Sequence, residues 1–226
     1  MRLRDSLRGG LIVSVQAWQG SALDDPHVIS AMAQAAQEGG AVAVRIAGVE
    51  HLRAVRARVA LPVIGLIKRE YRGFEPYITP TLDEVRTVIA AGAEIVAFDA
   101  TQRLRPDGAE LGRVVETIHA AGRFALADCS TSADAFGARA AGADAVATTL
   151  CGYTAQTKGV PLPALDFVRA LAGEGFTICE GGVRSPQEVR AAFAAGADAV
   201  VVGTAITNVD WLVAQYVAAL RAPAGT

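Results

Sequence analysis

The stretch AAGADAVVV, residues 194–202, occurs in nearly the same form at two earlier places in the chain. AAGADAVAT stands at 140–148 and AAGAEIVAF at 90–98, and a weaker copy, QEGGAVAVRI, stands at 37–46. Each copy follows a segment with helical periodicity, and its glycine suits the left-handed backbone that closes a helix. The apolar and β-branched residues after it occupy successive positions, which is typical of a strand buried on both faces. The repeat therefore predicts a helix that ends in glycine and leads into a buried strand.

Extending this unit along the chain gives eight strands in alternation with eight helices. The strands are predicted near residues 11–15, 41–46, 63–67, 95–98, 124–127, 145–148, 177–179 and 199–202. The helices are predicted at 26–38, 49–58, 81–91, 110–121, 133–141, 163–172, 186–195 and 210–221. Eight strand–helix units with short connections predict a closed (β/α)8 barrel, the TIM barrel, with a doubly wound open sheet as the alternative. No break in composition indicates a linker, so one domain is expected over residues 1–226.

The composition excludes several classes of protein. The 226 residues are 52% hydrophobic and carry a formal net charge of −2, which leaves no basic excess for a nucleic-acid surface. The apolar run before Gln16 is too short for a signal peptide, and no apolar stretch is long enough to span a membrane. The three cysteines are far apart in the sequence, which favours free thiols in a reducing compartment. We therefore expect a cytoplasmic protein that binds neither nucleic acid nor a membrane.

A polar or ionisable residue follows the apolar run of nearly every predicted strand. In a closed α/β barrel the carboxyl ends of the strands meet at one mouth, where the loops to the helices form the active site. In strand order these residues are Gln16, Arg45, Lys68, Asp99, Asp128, Thr148 with Thr149, Glu180 and Gly203 with Thr204. Any one of them alone could be only the first solvated position of its loop. Carboxylates and cations that converge on one mouth shift each other's pKa values, as active sites do, so Lys68 and Glu180 are the catalytic candidates.

Glycines follow the seventh and the eighth predicted strands. Gly181 and Gly182 come after Glu180, and Gly203 comes before Thr204. A short helical turn could follow Gly203. Barrels commonly bind a phosphate group on the backbone N–H groups of these two loops. The pattern predicts a phosphate site there, although glycines can also serve only to turn the chain tightly.

The remaining reactive side chains form no site in the sequence. His27, His51 and His119 lie in or beside predicted outer helices and lack a spacing suited to a metal, so neither a metal nor a cofactor is expected. Cys129 and Cys179 are interpreted as small core residues rather than nucleophiles.

Nine motifs together carry a family resemblance over nearly the whole chain. They are GLIVS (10–14) leading to Gln16, AVRI (43–46), PVIGLIKREY (62–71), EPYITPTLDEV (75–85), DATQRLRPDG (99–108), ADCST (127–131), TTLCGYT (148–154), CEGGVRSP (179–186) and VVGTAIT (201–207). The set resembles the N-acetylmannosamine-6-phosphate 2-epimerases of bacterial sialic acid catabolism. A generic phosphate-binding barrel would share only the last two motifs.

The resemblance implies an isomerase that inverts C2 of an N-acetylhexosamine 6-phosphate without a metal. It would convert N-acetylmannosamine 6-phosphate to N-acetylglucosamine 6-phosphate in amino sugar catabolism. By the resemblance, Lys68 and Glu180 exchange the C2 proton. The substrate-binding residues are then Gln16, Arg45, Asp128 and Thr148, with the phosphate on the loops of Gly181, Gly182, Gly203 and Thr204.

One position departs from the family pattern. After Ala205-Ile206-Thr207 the family usually carries an arginine that helps to bind the substrate, whereas this chain has Asn208. Either Arg184 substitutes for that arginine, or the affinity for phosphate is reduced, or the preferred substrate differs.

Two other functions stay open at this point. The chain could be a Schiff-base aldolase or lyase acting on a related sugar phosphate, with Lys68 as the nucleophile. It could also bind sugar phosphates without catalysis, but binding alone needs no opposed acid–base pair. Barrels of this kind often pair, which allows a homodimer.

Overall fold

The computed structural model describes residues 3–18 and 20–221, in which eight parallel strands form a closed barrel in the order β1 to β8. The strands are β1 (Leu11–Val15), β2 (Ala43–Ala47), β3 (Val63–Leu66), β4 (Ile95–Asp99), β5 (Phe124–Asp128), β6 (Ala145–Ala147), β7 (Phe176–Cys179) and β8 (Ala199–Val202). Because β8 pairs with β1, the predicted (β/α)8 barrel is confirmed and the open sheet is excluded. The bounds of the domain, 1–226, stay a prediction, since residues 1, 2, 19 and 222–226 lie outside the described residues.

Ten helices accompany the strands in the described residues. They are α1 (Leu3–Leu7), α2 (Pro26–Glu38), α3 (Val49–Arg56), α4 (Leu82–Ala90), α5 (Leu111–Ala120), α6 (Ser132–Ala140), α7 (Leu165–Leu171), α8 (Pro186–Ala194), α9 (Thr204–Thr207) and α10 (Val209–Arg221). The eight predicted helices include neither α1 nor α9, although a short helical turn is expected after Gly203. Leu7 of α1 is completely buried in the cluster of side chains that fills the barrel. Within 3–18 and 20–221, no helix has both the length and the apolar character needed to cross a membrane.

Side chains of the strands alternate between the barrel interior and the layer beneath the helices. The inward set includes Ile12, Ala43, Ile64, Leu66, Ile95, Ala97, Leu126, Ala145, Ala147, Ile178, Ala199 and Val201. Continuing this alternation to the carboxyl ends directs polar side chains into the mouth. They are Gln16, Arg45, Lys68, Asp99, Asp128, Thr149 and Glu180.

The acidic residue of each full repeat acts at the opposite end of the barrel. Its carboxylate accepts a hydrogen bond from a backbone N–H at the start of the preceding strand, at 2.8–3.0 Å. The pairs are Glu94 with Val63, Asp144 with Ala125 and Asp198 with Thr177. Each carboxylate also pairs with a basic side chain. The repeat thus links successive strands at the end of the barrel opposite the mouth.

The loop after β3 folds back as a hairpin. Lys68 and Ile78 form an antiparallel bridge, and the N–H of Thr79 donates to the carbonyl of Ile67 at 2.7 Å. The N–H of Asp99 in turn donates to the carbonyl of Ile78 at 2.9 Å. The returning segment therefore lies between the ends of β3 and β4, which fixes the backbone of Lys68 at the mouth.

Replacing Asp198 with alanine is expected to lower the free energy of unfolding by about 1–3 kcal/mol, because the N–H of the fully buried Thr177 loses its acceptor. Asp198→Asn keeps an oxygen acceptor and should lose less. Urea denaturation followed by circular dichroism measures both. The control is Glu116→Ala, an exposed carboxylate paired with Arg113, which should change stability by at most about 0.5 kcal/mol. Equal losses in Asp198→Ala and the control would contradict the role of the repeat carboxylate.

Candidate active site

Arg45, in the middle of β2, lies inside the barrel and joins two carboxylates. Its Nη1 and Nη2 donate to Oδ1 and Oδ2 of Asp128 at 3.0 and 2.6 Å, and Nη1 lies 3.0 Å from Oε2 of Glu180. The exposed fractions of the three side chains are 1% for Arg45, 0% for Asp128 and 12% for Glu180. Burial alone would lower the pKa of the Arg45 guanidinium, but the two carboxylates outweigh burial and raise that pKa. Arg45 is therefore a permanent positive charge in the mouth.

Glu180 follows β7 and is held at its backbone by Thr148. The Thr148 hydroxyl accepts from the N–H of Glu180 at 3.0 Å and donates to its carbonyl at 2.8 Å. Burial raises the pKa of Glu180 to about 7, an effect that Asp128 strengthens and that Arg45 and Lys68 oppose. A carboxyl group in this range can carry or release a proton near neutral pH.

Lys68 enters the mouth from the side opposite Glu180, because β3 and β7 are four strands apart in a barrel of eight. Its side chain is reachable by solvent, while the surrounding rim desolvates the amine. This desolvation lowers the pKa of Lys68, as does the nearby Arg45, whereas Glu180 and Asp128 act in the other direction. The pKa values of the two candidates for proton transfer are thus shifted toward each other.

Some buried polar atoms of this mouth have no hydrogen-bond partner. Among the described residues, five buried side-chain atoms have no aligned partner: Gln16 Oε1, Arg45 Nε, Glu180 Oε2, Arg123 Nε and Arg139 Nη1. Glu180 Oε2 does touch Arg45, but the N–H does not point at it, so that contact is ionic only. Buried polar groups in native proteins normally have partners, and a polar ligand in the mouth could supply them to Gln16, Arg45 and Glu180.

Gln16 is oriented by β1. Its Nε2 donates to the Oγ of Ser14 at 2.8 Å, which leaves its carbonyl oxygen as the free acceptor. Ser14 also lies against Gly203: a Cβ added to Gly203 would come within 3.1 Å of the Cβ of Ser14. Glycine at position 203 thus allows the loop after β8 to approach β1 closely.

The loops after β7 and β8 leave backbone donors uncovered. The N–H groups of Gly181, Gly182, Gly203 and Thr204 make no hydrogen bond within the described part of the chain. Gly182 has a φ of 73°, and a Cβ there would lie only 2.3 Å from the Cβ of Leu162. Glycine at 182 is therefore required by both backbone and packing.

Sequence reasoning placed Thr148 and Thr149 together at a strand end but gave a substrate-binding role only to Thr148. Thr148 is completely buried and engaged with the backbone of Glu180, whereas the Oγ1 of Thr149 donates to Oδ1 of Asp128 at 2.6 Å. The alternation of Ala145 and Ala147 on the inward side indicates Thr149 as the next inward position. That signal was available in the sequence.

Asp99, also at a strand end, is occupied by its own loop. Its Oδ1 accepts from the Thr101 hydroxyl at 2.6 Å, and its Oδ2 accepts from Arg103 at 2.7 Å. The side chain is 1% exposed, so Asp99 stabilises the loop after β4.

The cysteines and histidines add no chemistry to the mouth. Cys129, Cys151 and Cys179 are buried free thiols, and burial raises the pKa of Cys179 to about 11. His119 pairs with Asp144 at 2.8 Å on the outside of the barrel. In the part of the chain that is described, no three His, Cys, Asp or Glu side chains gather as potential metal ligands.

Asn208 and Arg184 each lie against Trp211 of α10. The Asn208 Oδ1 accepts from the N–H of Trp211 at 2.9 Å and so caps α10. The guanidinium of Arg184 lies 5.9 Å from the centroid of the Trp211 ring. Arg184 therefore places a cation beside the first turn of α10, which Asn208 caps.

Comparisons with known proteins agree with this geometry. Residues 29–222 match the family model "Putative N-acetylmannosamine-6-phosphate epimerase". Proteins named "Putative N-acetylmannosamine-6-phosphate 2-epimerase" are similar over nearly their full length. The one from Synechococcus elongatus is 46% identical, with 96% of this chain and 95% of that protein covered. The one from Klebsiella pneumoniae is 44% identical, with 95% and 91% covered.

A solved structure extends the likeness to three dimensions. The N-acetylmannosamine-6-phosphate 2-epimerase from Clostridium perfringens superposes with a TM-score of 0.93 at 37% identity, over 97% of this chain and 96% of that one. Sequence and structure agree, and the chain belongs to the N-acetylmannosamine-6-phosphate epimerase family.

Proposed function

We propose that this protein is an epimerase of the cytoplasm that inverts C2 of N-acetylmannosamine 6-phosphate to give N-acetylglucosamine 6-phosphate, in the catabolism of sialic acid and amino sugars. Family membership supports the reaction. The observation that carries the assignment of residues is the pair of proton-transfer groups on opposite walls of the mouth, Lys68 and Glu180, whose pKa values are shifted toward each other.

The proposed chemistry needs the open-chain sugar, because C2 is acidic only beside the free C1 aldehyde. One group removes the C2 proton, the C–H electrons form a C1–C2 double bond, and the C1 oxygen becomes negative. The group on the other wall then delivers a proton to the opposite face of C2. The fixed charge of Arg45 stabilises the negative intermediate, which is the largest single contribution in many enzymes. No step in this scheme requires a metal ion.

Both productive states of the acid–base pair carry one proton. Neutral Lys68 works with protonated Glu180 in one direction, and charged Lys68 works with ionised Glu180 in the other. A lowered Lys68 pKa and a raised Glu180 pKa bring these two states closer in free energy. At low pH both groups are protonated and no base remains, and at high pH no acid remains. We therefore expect kcat/KM to have a bell-shaped dependence on pH.

The substrate is proposed to lie with its phosphate on the N–H groups of Gly181, Gly182, Gly203 and Thr204. Gln16 and Arg45 bind the sugar through their unpaired polar atoms. Asp128 fixes Arg45, and Thr148 fixes Glu180.

Incubation of N-acetylmannosamine 6-phosphate with the protein in D2O and excess chelator tests the function by proton NMR. Growth of the gluco epimer with deuterium at C2 is expected. The aldolase alternative predicts instead a covalent adduct that borohydride traps on Lys68. The chain has only two lysines, Lys68 and Lys158, so mass spectrometry locates such an adduct directly.

Lys68→Ala and Glu180→Gln are each expected to lower turnover by at least about a hundredfold, because each removes one proton-transfer group. The matched controls are Lys158→Ala and Glu174→Gln, which change exposed residues of the same types. Deuterium incorporation at C2 and formation of the epimer are measured in parallel. Turnover that survives in Glu180→Gln would refute the role assigned to Glu180, and C2 exchange that survives in Lys68→Ala would refute that of Lys68.

Arg184 is proposed as the cation that contacts the phosphate where the family usually has an arginine at 208. Arg184→Ala should raise KM about tenfold and leave kcat almost unchanged, because the phosphate is remote from the reacting carbon. Arg190→Ala, on the exposed face of α8, is the control. With unphosphorylated N-acetylmannosamine both variants should behave like the wild type. A KM unchanged by Arg184→Ala would remove Arg184 from the site.

The chain is also proposed to form a homodimer through α10. Val213, Tyr216 and Leu220 lie on one face of this helix and are 54%, 76% and 85% exposed. Sedimentation equilibrium should give twice the chain mass, and Tyr216→Glu should give a monomer, whereas Gln215→Glu on another face should not. A monomeric wild type would contradict the proposal.

A further inference from the structure

Thr149 occupies a place in the mouth that the catalytic scheme leaves unused. It is the second residue after β6 and continues the inward alternation of Ala145 and Ala147. Its Oγ1 donates to Oδ1 of Asp128 at 2.6 Å, a short bond of the kind that a hydroxyl makes to a carboxylate.

The same oxygen of Asp128 also competes with Glu180 for the guanidinium of Arg45. Nη1 of Arg45 lies 3.0 Å from Oδ1 of Asp128 and 3.0 Å from Oε2 of Glu180, so one nitrogen serves both carboxylates. Because the Thr149 hydroxyl also donates to Oδ1, Asp128 attracts Nη1 of Arg45 less strongly. Without the hydroxyl, we expect Asp128 to draw Arg45 toward itself and away from Glu180.

We propose that Thr149 is a positioning residue of this site, whose hydroxyl holds Asp128 so that the guanidinium of Arg45 stays shared with Glu180. The proposal deepens the proposed function, in which Glu180 exchanges the C2 proton. Thr149 touches no reacting atom in this scheme and acts through Asp128 and Arg45.

The loop that carries Thr149 is anchored by a cluster of hydroxyls. The Oγ of Ser130, two residues after Asp128, lies 2.6 Å from the Oγ1 of Thr154 and 2.9 Å from that of Thr157. The Oγ1 of Thr157 also accepts from the N–H of Gly152 at 2.9 Å. These bonds join the loops after β5 and β6 and so hold Thr149 next to Asp128.

Four elements present polar groups to Glu180: Arg45 from β2, Lys68 after β3, Asp128 from β5 and Thr149 after β6. Burial is the main cause that raises the pKa of Glu180, and Asp128 adds to it. Arg45 and Lys68 lower that pKa by stabilising the carboxylate. Loss of the hydroxyl draws Arg45 toward Asp128 and weakens its ionic contact with Glu180, so the pKa of Glu180 should rise.

The test compares Thr149→Val, which removes the hydroxyl at nearly constant shape, with Thr149→Ser, which keeps it. In the wild type the acid limb of kcat/KM falls as Glu180 becomes protonated. Thr149→Val should move the midpoint of this limb upward by about one pH unit, because a nearby cation that withdraws from a carboxylate stabilises its charged form less. Thr149→Ser and the exposed control Thr87→Val should keep the wild-type midpoint.

A second measurement needs no turnover. In protein with 13C-labelled glutamate carboxyl groups, the Glu180 signal is identified by its absence from Glu180→Gln, and its titration midpoint should rise by about one unit in Thr149→Val. Thr149→Ala takes the place of Thr149→Val if the latter does not fold. An unmoved midpoint overturns the proposal, whatever the rate. A raised KM with an unmoved midpoint also overturns it and makes the hydroxyl a substrate contact. Because the titration is independent of substrate, its result stands even if the proposed function fails.

Discussion

A buried guanidinium requires anionic partners, and Arg45 imposes this condition on the whole mouth of the barrel. Its partners come from β5 and β7. Neighbouring strands lie about 4.8 Å apart, so β2 and β5 would be about 14 Å apart in an open sheet. The contact of 2.6 Å between Arg45 and Asp128 thus depends on closure. The charge network and the barrel therefore support each other.

The two ends of the barrel treat their carboxylates differently. At the end opposite the mouth, Glu94, Asp144 and Asp198 accept hydrogen bonds from backbone N–H groups and pair with basic side chains. At the mouth, Glu180 is buried with an oxygen that lacks an aligned donor, and its pKa is raised. The carboxylates opposite the mouth stabilise the fold, while the mouth retains polar groups without hydrogen-bond partners. Such a division is common where binding needs free donors and acceptors.

The repeat in the sequence was sufficient for the fold, because its glycines and apolar runs act locally. Gly92, Gly142 and Gly196 have φ values of 95°, 95° and 103°, as helices that end in a left-handed residue require. The polar strand ends were likewise readable, and the structure brings Arg45, Lys68, Asp128 and Glu180 to one mouth. Other features depend on contacts between distant segments. The hairpin after β3 needs β4 to pair with Ile78, and α1 buries Leu7 against the inward side chains of several strands, which no local pattern reveals.

Positions 148 and 149 show what strand ends alone cannot decide. Both are threonines, and the apolar run simply stops before them. Strand alternation assigns the outward direction to Thr148, whose hydroxyl then bonds the backbone of β7's end, and the inward direction to Thr149. The same chemistry thus serves two purposes one residue apart: one hydroxyl fixes the backbone of Glu180, and the other holds the carboxylate of Asp128. Since Arg45 lies between Asp128 and Glu180, the two threonines constrain Glu180 from both sides, through its backbone and through the charge that faces it.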